Sequence, residues 1–496
     1  MQARRGSIYK NSSERVRPVF CDLRVGSYRY DQVAHGGLND EDEDRESVSL
    51  SKLPIDTRVN DEFRHAVWRV VEARFREALT DYNTKEALSI STFDANRALP
   101  SFTKLPPLHH VSYSHPEPVD EEKWVKFCKK ASEFVSDLPH VSQSWVEFEA
   151  CQETKIFVST EKRIIVQHSQ TLALIATMKK LLRDGSHIEQ DVVINCCEME
   201  ELPGLARFEK LVKEKHELLL RMARGRKIHA YSGPALLMPG PAGLLFHEAL
   251  GHRLEGNRLL SNDEGQTFRD QVGTQILNVD ISVRDNPRMR SFNGQRCAGY
   301  YRFDDEGSAA TPTLLVEGGK LNDFLTTRAA LKKRGFSSNG HARNKDSQRP
   351  VSRMGVLEIE GKKTVPLEEL KRKLIREIRR QKKPYGMIIY DTSSGETETT
   401  RHDPQAFYGE ISYATLLYPN GKEVPVRGVN FVGTPLQSLH NITAVGDQRE
   451  IDNSFCGAES GFVPVSTISP ALLVSHLELQ AKDEVRVAQS LLPKPR

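Results

Sequence analysis

The chain has 496 residues, with 70 Lys and Arg against 67 Asp and Glu, a formal net charge of +3. At about 150 residues per domain that length predicts roughly two to four domains, and 38% hydrophobic with 28% charged residues describes an ordinary globular chain rather than a disordered one. So even a balance argues against a whole-protein grip on nucleic acid, and no stretch reaches the ~20 apolar residues of a membrane-spanning helix.

The opening, Met1-Gln-Ala-Arg-Arg-Gly-Ser-Ile8, has basic residues but no apolar run behind them, unlike a secretory signal. The cysteines (Cys21, Cys128, Cys151, Cys196, Cys197, Cys297, Cys456) are odd in number and scattered, so a reducing, cytoplasmic setting is expected rather than a disulfide framework. The acidic run at 38–46 reads as a solvated loop. Residues 61–83 have helical spacing, with Phe63, Val67, Val70, Val71, Phe75 and Leu79 assigned to core packing. Five prolines between 97 and 122 mark a linker or long loop, in which His109, His110 and His115 lack acidic or Cys partners.

A helix is predicted at about 119–136, followed by a β-hairpin from Lys155-Ile-Phe-Val-Ser to Arg163-Ile-Ile-Val-Gln and a further strand at 171–182. Residues 206–224 form a charged amphipathic helix. A boundary falls at 225–232, dividing an N-terminal α+β domain (1–228) from a C-terminal domain (229–496). The second half carries short strands at 356–359, 387–390, 411–418 and 424–431, with Pro419-Asn-Gly-Lys as a hairpin turn and a helix at about 366–383. The predicted fold class is α+β, with the C-terminal domain β-rich and mainly antiparallel.

The chemistry concentrates in Gly243-Leu-Leu-Phe-His-Glu-Ala-Leu-Gly-His-Arg-Leu-Glu-Gly256. His247 and His252 are imidazole ligands of the kind zinc takes, and Glu248 is a carboxylate beside one of them that can activate a metal-bound water. Pro241 suits the first turn of a helix. The usual metallopeptidase motif spaces its histidines four apart, on one helix face. Here they are five apart and would point roughly 140° away from each other on a regular helix. They share a metal only if the helix widens or breaks between them, and Gly251 makes that distortion cheaper. A chance meeting of two histidines and a glutamate is the bland alternative. The apolar Leu-Leu-Phe lead-in weighs against it, because it sets three polar groups at the edge of a buried helix. A third protein ligand is needed, and spacing alone leaves Glu255 and Cys456 both open. There is no phosphate loop, nucleophile elbow or CxxC pair.

The segment 247–256, the late Cys456-Gly and the following Val463-Pro-Val resemble the TldD/PmbA family, also called the modulator of DNA gyrase family, and within it the TldD-type branch. Asp304-Asp-Glu-Gly307 and Arg349-Pro-x-x-Arg353-Met also look like family segments, with no catalytic role assigned to them. The resemblance covers about 150–480. Arg24-Val-Gly-Ser-Tyr-Arg-Tyr-Asp31 is similar to an internal part of the family's N-terminal domain, so opening elements of that domain are expected to be missing. The resemblance implies His247, His252 and Cys456 as zinc ligands and Glu248 as catalytic acid/base. It implies a homodimer, or a heterodimer with a PmbA-like subunit, enclosing a chamber that admits peptides or unfolded protein segments. Three rivals remain: a non-catalytic PmbA-like scaffold subunit, a closed structural zinc site completed by Glu255, and a zinc amidase acting on a non-peptide substrate.

Overall fold

The computed structural model describes residues 1–33, 53, 60–91, 101–260, 267–329, 338–345, 348–400 and 406–482. The acidic run at 38–46 and residues 97–100 of the Pro-rich stretch lie outside them. No helix among the described residues is long and apolar enough to cross a membrane.

The first long helix, α1 (Asn60–Ser91), runs beyond the expected 61–83 at both ends. Its apolar stripe is core only in part, with Phe63 and Val67 half-buried. Among the described side chains, 61–87, only Val70 and Ala78 are buried, while Val71, Phe75 and Leu79 are 40%, 48% and 40% exposed. The helix lies on the surface with one narrow seam inward, so helical spacing identified the helix but not the depth of its packing.

A six-stranded sheet organises residues 2–196. Its spine is a hairpin of Gln143–Ser159 against Arg163–Leu181, in antiparallel register from Ser159↔Arg163 to Gln143↔Lys179. The expected separate strand at 171–182 is therefore the far half of one long strand. No turn residue interrupts 163–181, and His187–Cys196 pairs with its second half. His109 and His110, expected in a loop, lie on the strand Leu108–Val111, parallel to 163–166. Two helices cover this sheet. In α2 (Glu121–Ser136) the Asp120 carboxylate accepts the Lys123 backbone N–H at 3.0 Å, which caps the helix, and Trp124, Cys128, Ala131 and Val135 form the buried stripe. Trp124 stacks on Phe148 of the sheet at 4.2 Å. In α3 (Leu205–Ala223) Phe208, Val212 and Leu219 do the same.

Residues 226–481 build a thirteen-stranded sheet. Its longest strand, Gly461–Ala481, pairs antiparallel with Ile442–Ala458 and Ala230–Leu237 and parallel with Val356–Gly361. Alternation across Ala230–Leu237 sends neighbouring side chains to opposite faces. Ala235 and Leu237 pack in one core with Ala242, Leu245 and Phe246 of α4 (Pro239–Phe246). Leu236 packs in another with Leu370, Leu374 and Ile378 of α5 (Leu367–Arg380). The Asn-Gly turn forms as expected: Gly421 has φ +83° and Leu417 pairs with Glu423. The expected strand at 424–431 is two strands, Glu423–Arg427 and Val429–Gly433, because Gly428 at φ +88° bends the chain between them. The whole is an α+β protein with a sheet-rich C-terminal region.

Candidate metal centre

The site begins where α4 ends. The chain leaves Ala230–Leu237, enters α4 with Pro239 and Pro241 in its first turn, and continues as a π turn over His247–Gly251 and a 3-10 turn over His252–Leu254. The wider π turn absorbs the extra residue between the two histidines. Their rings stand 4.9 Å apart at 86° instead of facing away from each other. Gly251 is required by its ceiling: a Cβ there would lie 2.1 Å from Met354 Sδ.

Cys456 arrives from the other side, near the end of Ile442–Ala458 and paired with Val463. His247 Nε2 is 3.1 Å and His252 Nε2 3.2 Å from Cys456 Sγ. One donor atom from each of the three lies within 4.8 Å of the others, and all three residues are buried. Zinc held at ~2.0–2.1 Å from nitrogen and ~2.3 Å from sulfur needs donors roughly 3.5 Å apart, so a small outward relaxation admits an ion. Two imidazoles and a thiolate are a donor set that suits zinc.

The electrostatics prepare these donors for a cation. Burial alone would push the Cys456 thiol up. The neighbouring imidazoles, His252 ahead of His247, overcome it and hold the thiol well below its usual value. Burial likewise works against charge on His252, and the thiolate and Glu255 outweigh it, raising the imidazole.

Glu255 does not join the donor cluster. Its Oε1 lies 3.1 Å from His252 Nδ1, and its Oε2 accepts from Arg258 Nη2 at 2.7 Å. A carboxylate on Nδ1–H fixes the tautomer that leaves Nε2 free to bind a metal. Despite complete burial, which works against it, the charges of His252 and Arg258 hold the Glu255 carboxyl down at about 2.

Glu248 opens on a cleft of ≈ 770 Å³ that also exposes His247, His252 and Cys456, with walls from Asp391–Thr397 on one side and Asp452–Glu459 on the other. Burial raises its carboxyl above the ordinary range, against the pull of the two imidazoles. Gly395 makes room for it: a Cβ there would stand 2.9 Å from Glu248 Oε1. Arg253 anchors the same turn to the cleft wall, donating to Glu248 O at 2.8 Å and to Glu398 O at 2.8 Å.

The four side chains singled out by motif and resemblance thus meet in one cleft. Sequence reasoning missed the supporting set. Glu255 was weighed only as a ligand, and Arg253, Arg258 and Arg353 were given no part. Glu255 had a signal, since three residues beyond His252 is one turn further along the same coil. The arginines had none.

Comparison with known proteins bears on the family and the fold. A metalloprotease of Methanothermobacter thermautotrophicus is 25% identical over 358 residues, covering 69% of this chain and 72% of the relative. A zinc metalloprotease TldD homolog of Saccharolobus solfataricus is 22% identical over 361 residues, covering 73% of this chain and 76% of the relative. The fold is shared with a crystal structure from Thermotoga maritima, of a protein named for a proposed modulation of a DNA gyrase, at a TM-score of 0.59 and 18% identity over 82% of this chain and 83% of that one. Residues 231–481 match the model of the PmbA/TldA metallopeptidase C-terminal domain, half of the chain's length, and the chain therefore belongs to the PmbA/TldA metallopeptidase family.

Proposed function

We propose that this chain is a zinc-dependent peptidase of the cytoplasm that hydrolyses peptides or unfolded protein segments, with residues 229–496 as its catalytic domain and 1–228 as an N-terminal domain. His247, His252 and Cys456 are its zinc ligands. The observation that carries this reading is the convergence of three buried donor atoms from two distant segments on a cleft that Glu248 also faces. Zinc held by these three residues would supply Lewis acidity toward a carbonyl and lower the pKa of a water.

The remaining work belongs to the chain. Glu248 accepts the proton of the attacking water and returns it to the leaving nitrogen. Its raised affinity for a proton, which burial causes, suits the second of these steps. Glu255 keeps the imidazole of His252 turned with Nε2 toward the cleft. Asp391–Thr397 and Asp452–Glu459 wall the cleft, and an extended chain would enter along it as along a channel. Access along such a channel favours unfolded substrates. In this reading the chain works as a dimer, with a second copy or with a PmbA-like subunit. The complete His-Glu-His set argues against a scaffold subunit, and the engagement of Glu255 with His252 and Arg258 argues against a closed four-ligand structural site.

The test is metal analysis of the purified chain with hydrolysis of casein and of short peptides, with and without a chelator, alongside Glu248→Gln. The variant is expected to keep its zinc and to lose at least about 100-fold in rate, the scale of a general base. Proteolysis by it at the wild-type rate, with contaminating protease excluded, removes Glu248 as the base. Retained zinc with no hydrolysis of any peptide by the wild type removes the peptidase reading.

A further inference from the structure

We propose that Arg353 is a positioning residue: one guanidinium ties the strand that carries Cys456 to the carboxylate behind His252, so that the three donors are held in place before a metal arrives. This rests on the metal-centre reading above. Arg353 is completely buried and does not line the cleft. It therefore touches no substrate. Its charge still has to be accommodated in the interior, where each unpaired ion costs several kcal/mol.

Every partner of that charge belongs to the frame of the site. Nη2 donates to Cys456 O at 2.6 Å. Nη1 donates to Ser460 Oγ at 2.9 Å and to Gly461 O at 3.0 Å. These acceptors span the tip of the hairpin between Ile442–Ala458 and Gly461–Ala481, whose first strand ends two residues beyond Cys456. Nε faces Glu255 Oε1 at 3.5 Å, and the same oxygen lies 3.1 Å from His252 Nδ1. One planar group thus hydrogen-bonds the thiolate's strand through its two terminal nitrogens and sets its charge, through Nε and without a hydrogen bond, against the histidine's carboxylate.

The residues beside Arg353 act in the same joint. Met354 Sδ fills the space over Gly251 inside the widened turn. Ser352 Oγ accepts the backbone N–H of Asn257 at 3.2 Å. Residues 352–354 are therefore a wedge between the histidine turn and the cysteine hairpin, two segments far apart in the chain. A lysine cannot reproduce this, because one ammonium cannot reach the separated acceptors in the fixed directions of a guanidinium.

The experiment uses the full chain, stripped of metal and titrated with Zn²⁺ and with Co²⁺ against a competing chelator. The near-ultraviolet thiolate-to-Co²⁺ charge-transfer band reports whether Cys456 is bound. Arg353→Lys is expected to fold, to weaken Zn²⁺ binding about 10–100-fold, as is typical when a partner behind the ligands is lost, and to diminish the band. A residue that serves stability alone would lower the melting temperature and leave band and affinity intact. Arg353→Lys with Glu255→Gln should lose less than the sum of the single losses, since both act through one network. If Arg353→Lys does not fold, Ser460→Ala carries the test, with Zn²⁺ binding expected to weaken about 2–10-fold, at or below the lower end of that range. Wild-type affinity and band in a folded Arg353→Lys, or in Ser460→Ala where that variant carries the test, overturn the proposal alone. A wild-type chain that binds Co²⁺ without the band overturns the metal-centre reading and the proposal with it.

Discussion

Gly251→Ala tests the packing that shapes the site without touching a ligand. The added Cβ would stand 2.1 Å from Met354 Sδ and 3.0 Å from its Cε, against an ordinary contact of roughly 3.5–4 Å. Met354 is itself 1% exposed, so its thioether must either leave its rotamer or push the wedge at 352–354 away from the histidine turn. Forcing a methyl group into a filled core costs about 1–3 kcal/mol. Part of that strain should reach the metal, because the displaced segment contains Arg353, which holds the Cys456 strand. Met354→Ala alone should cost about 2–5 kcal/mol as a cavity. In the double variant the new methyl group enters space that the thioether has left. Its destabilisation should therefore fall short of the sum of the single effects by at least about 1 kcal/mol. Denaturant unfolding of the three variants measures the cycle, and chelator competition measures Zn²⁺ affinity. A Gly251→Ala protein as stable as wild type, or additive effects in the double variant, would refute the claim that glycine is required by Met354.

Cys456→Ser keeps the shape of the third donor and removes the thiolate; Zn²⁺ affinity should fall at least about 100-fold, beyond the loss typical for an outer partner, and the Co²⁺ charge-transfer band should vanish altogether. Glu161 supplies a test remote from the site. Burial works against its charge, but Tyr28, the Leu105 N–H and Arg328, the last at 2.6 Å, hold its carboxyl below the ordinary range. A depressed carboxyl stabilises the fold above its unfolded pKa and loses that contribution as pH falls through the folded value. Glu161→Gln should therefore cost about 1.5–3 kcal/mol at pH 7, the scale of hydrogen bonds to a charged group. The gap between variant and wild type should close as pH drops below about 4, measured by denaturant unfolding across pH. A gap unchanged down to pH 3 would show that ionisation of Glu161 contributes nothing.

Local pattern carried the helices α2, α3 and α5 to within a few residues, because each pairs an apolar stripe with a polar face. It carried the Asn-Gly hairpin, because that turn needs a positive φ at glycine. It also showed that His247 and His252 share a metal only across a distorted turn, a consequence of helical geometry alone. Depth and partnership were outside its reach. The stripe of α1 has the spacing of a core helix, yet Phe75 and Leu79 face solvent, since spacing records which residues share a face and not what covers that face. Glu255 and Cys456 were equal candidates by donor chemistry until the fold separated them. The pairing of Ile442–Ala458 with Gly461–Ala481 brings a thiolate to the imidazoles from far along the chain, while Arg258 and His252 Nδ1 engage the nearer carboxylate. The sequence by itself determined which side chains can bind a metal. Only the tertiary structure decided which of them meet, because a donor set is a matter of distances of a few ångströms, and those are set by sheet register and buried arginines rather than by neighbours in the chain.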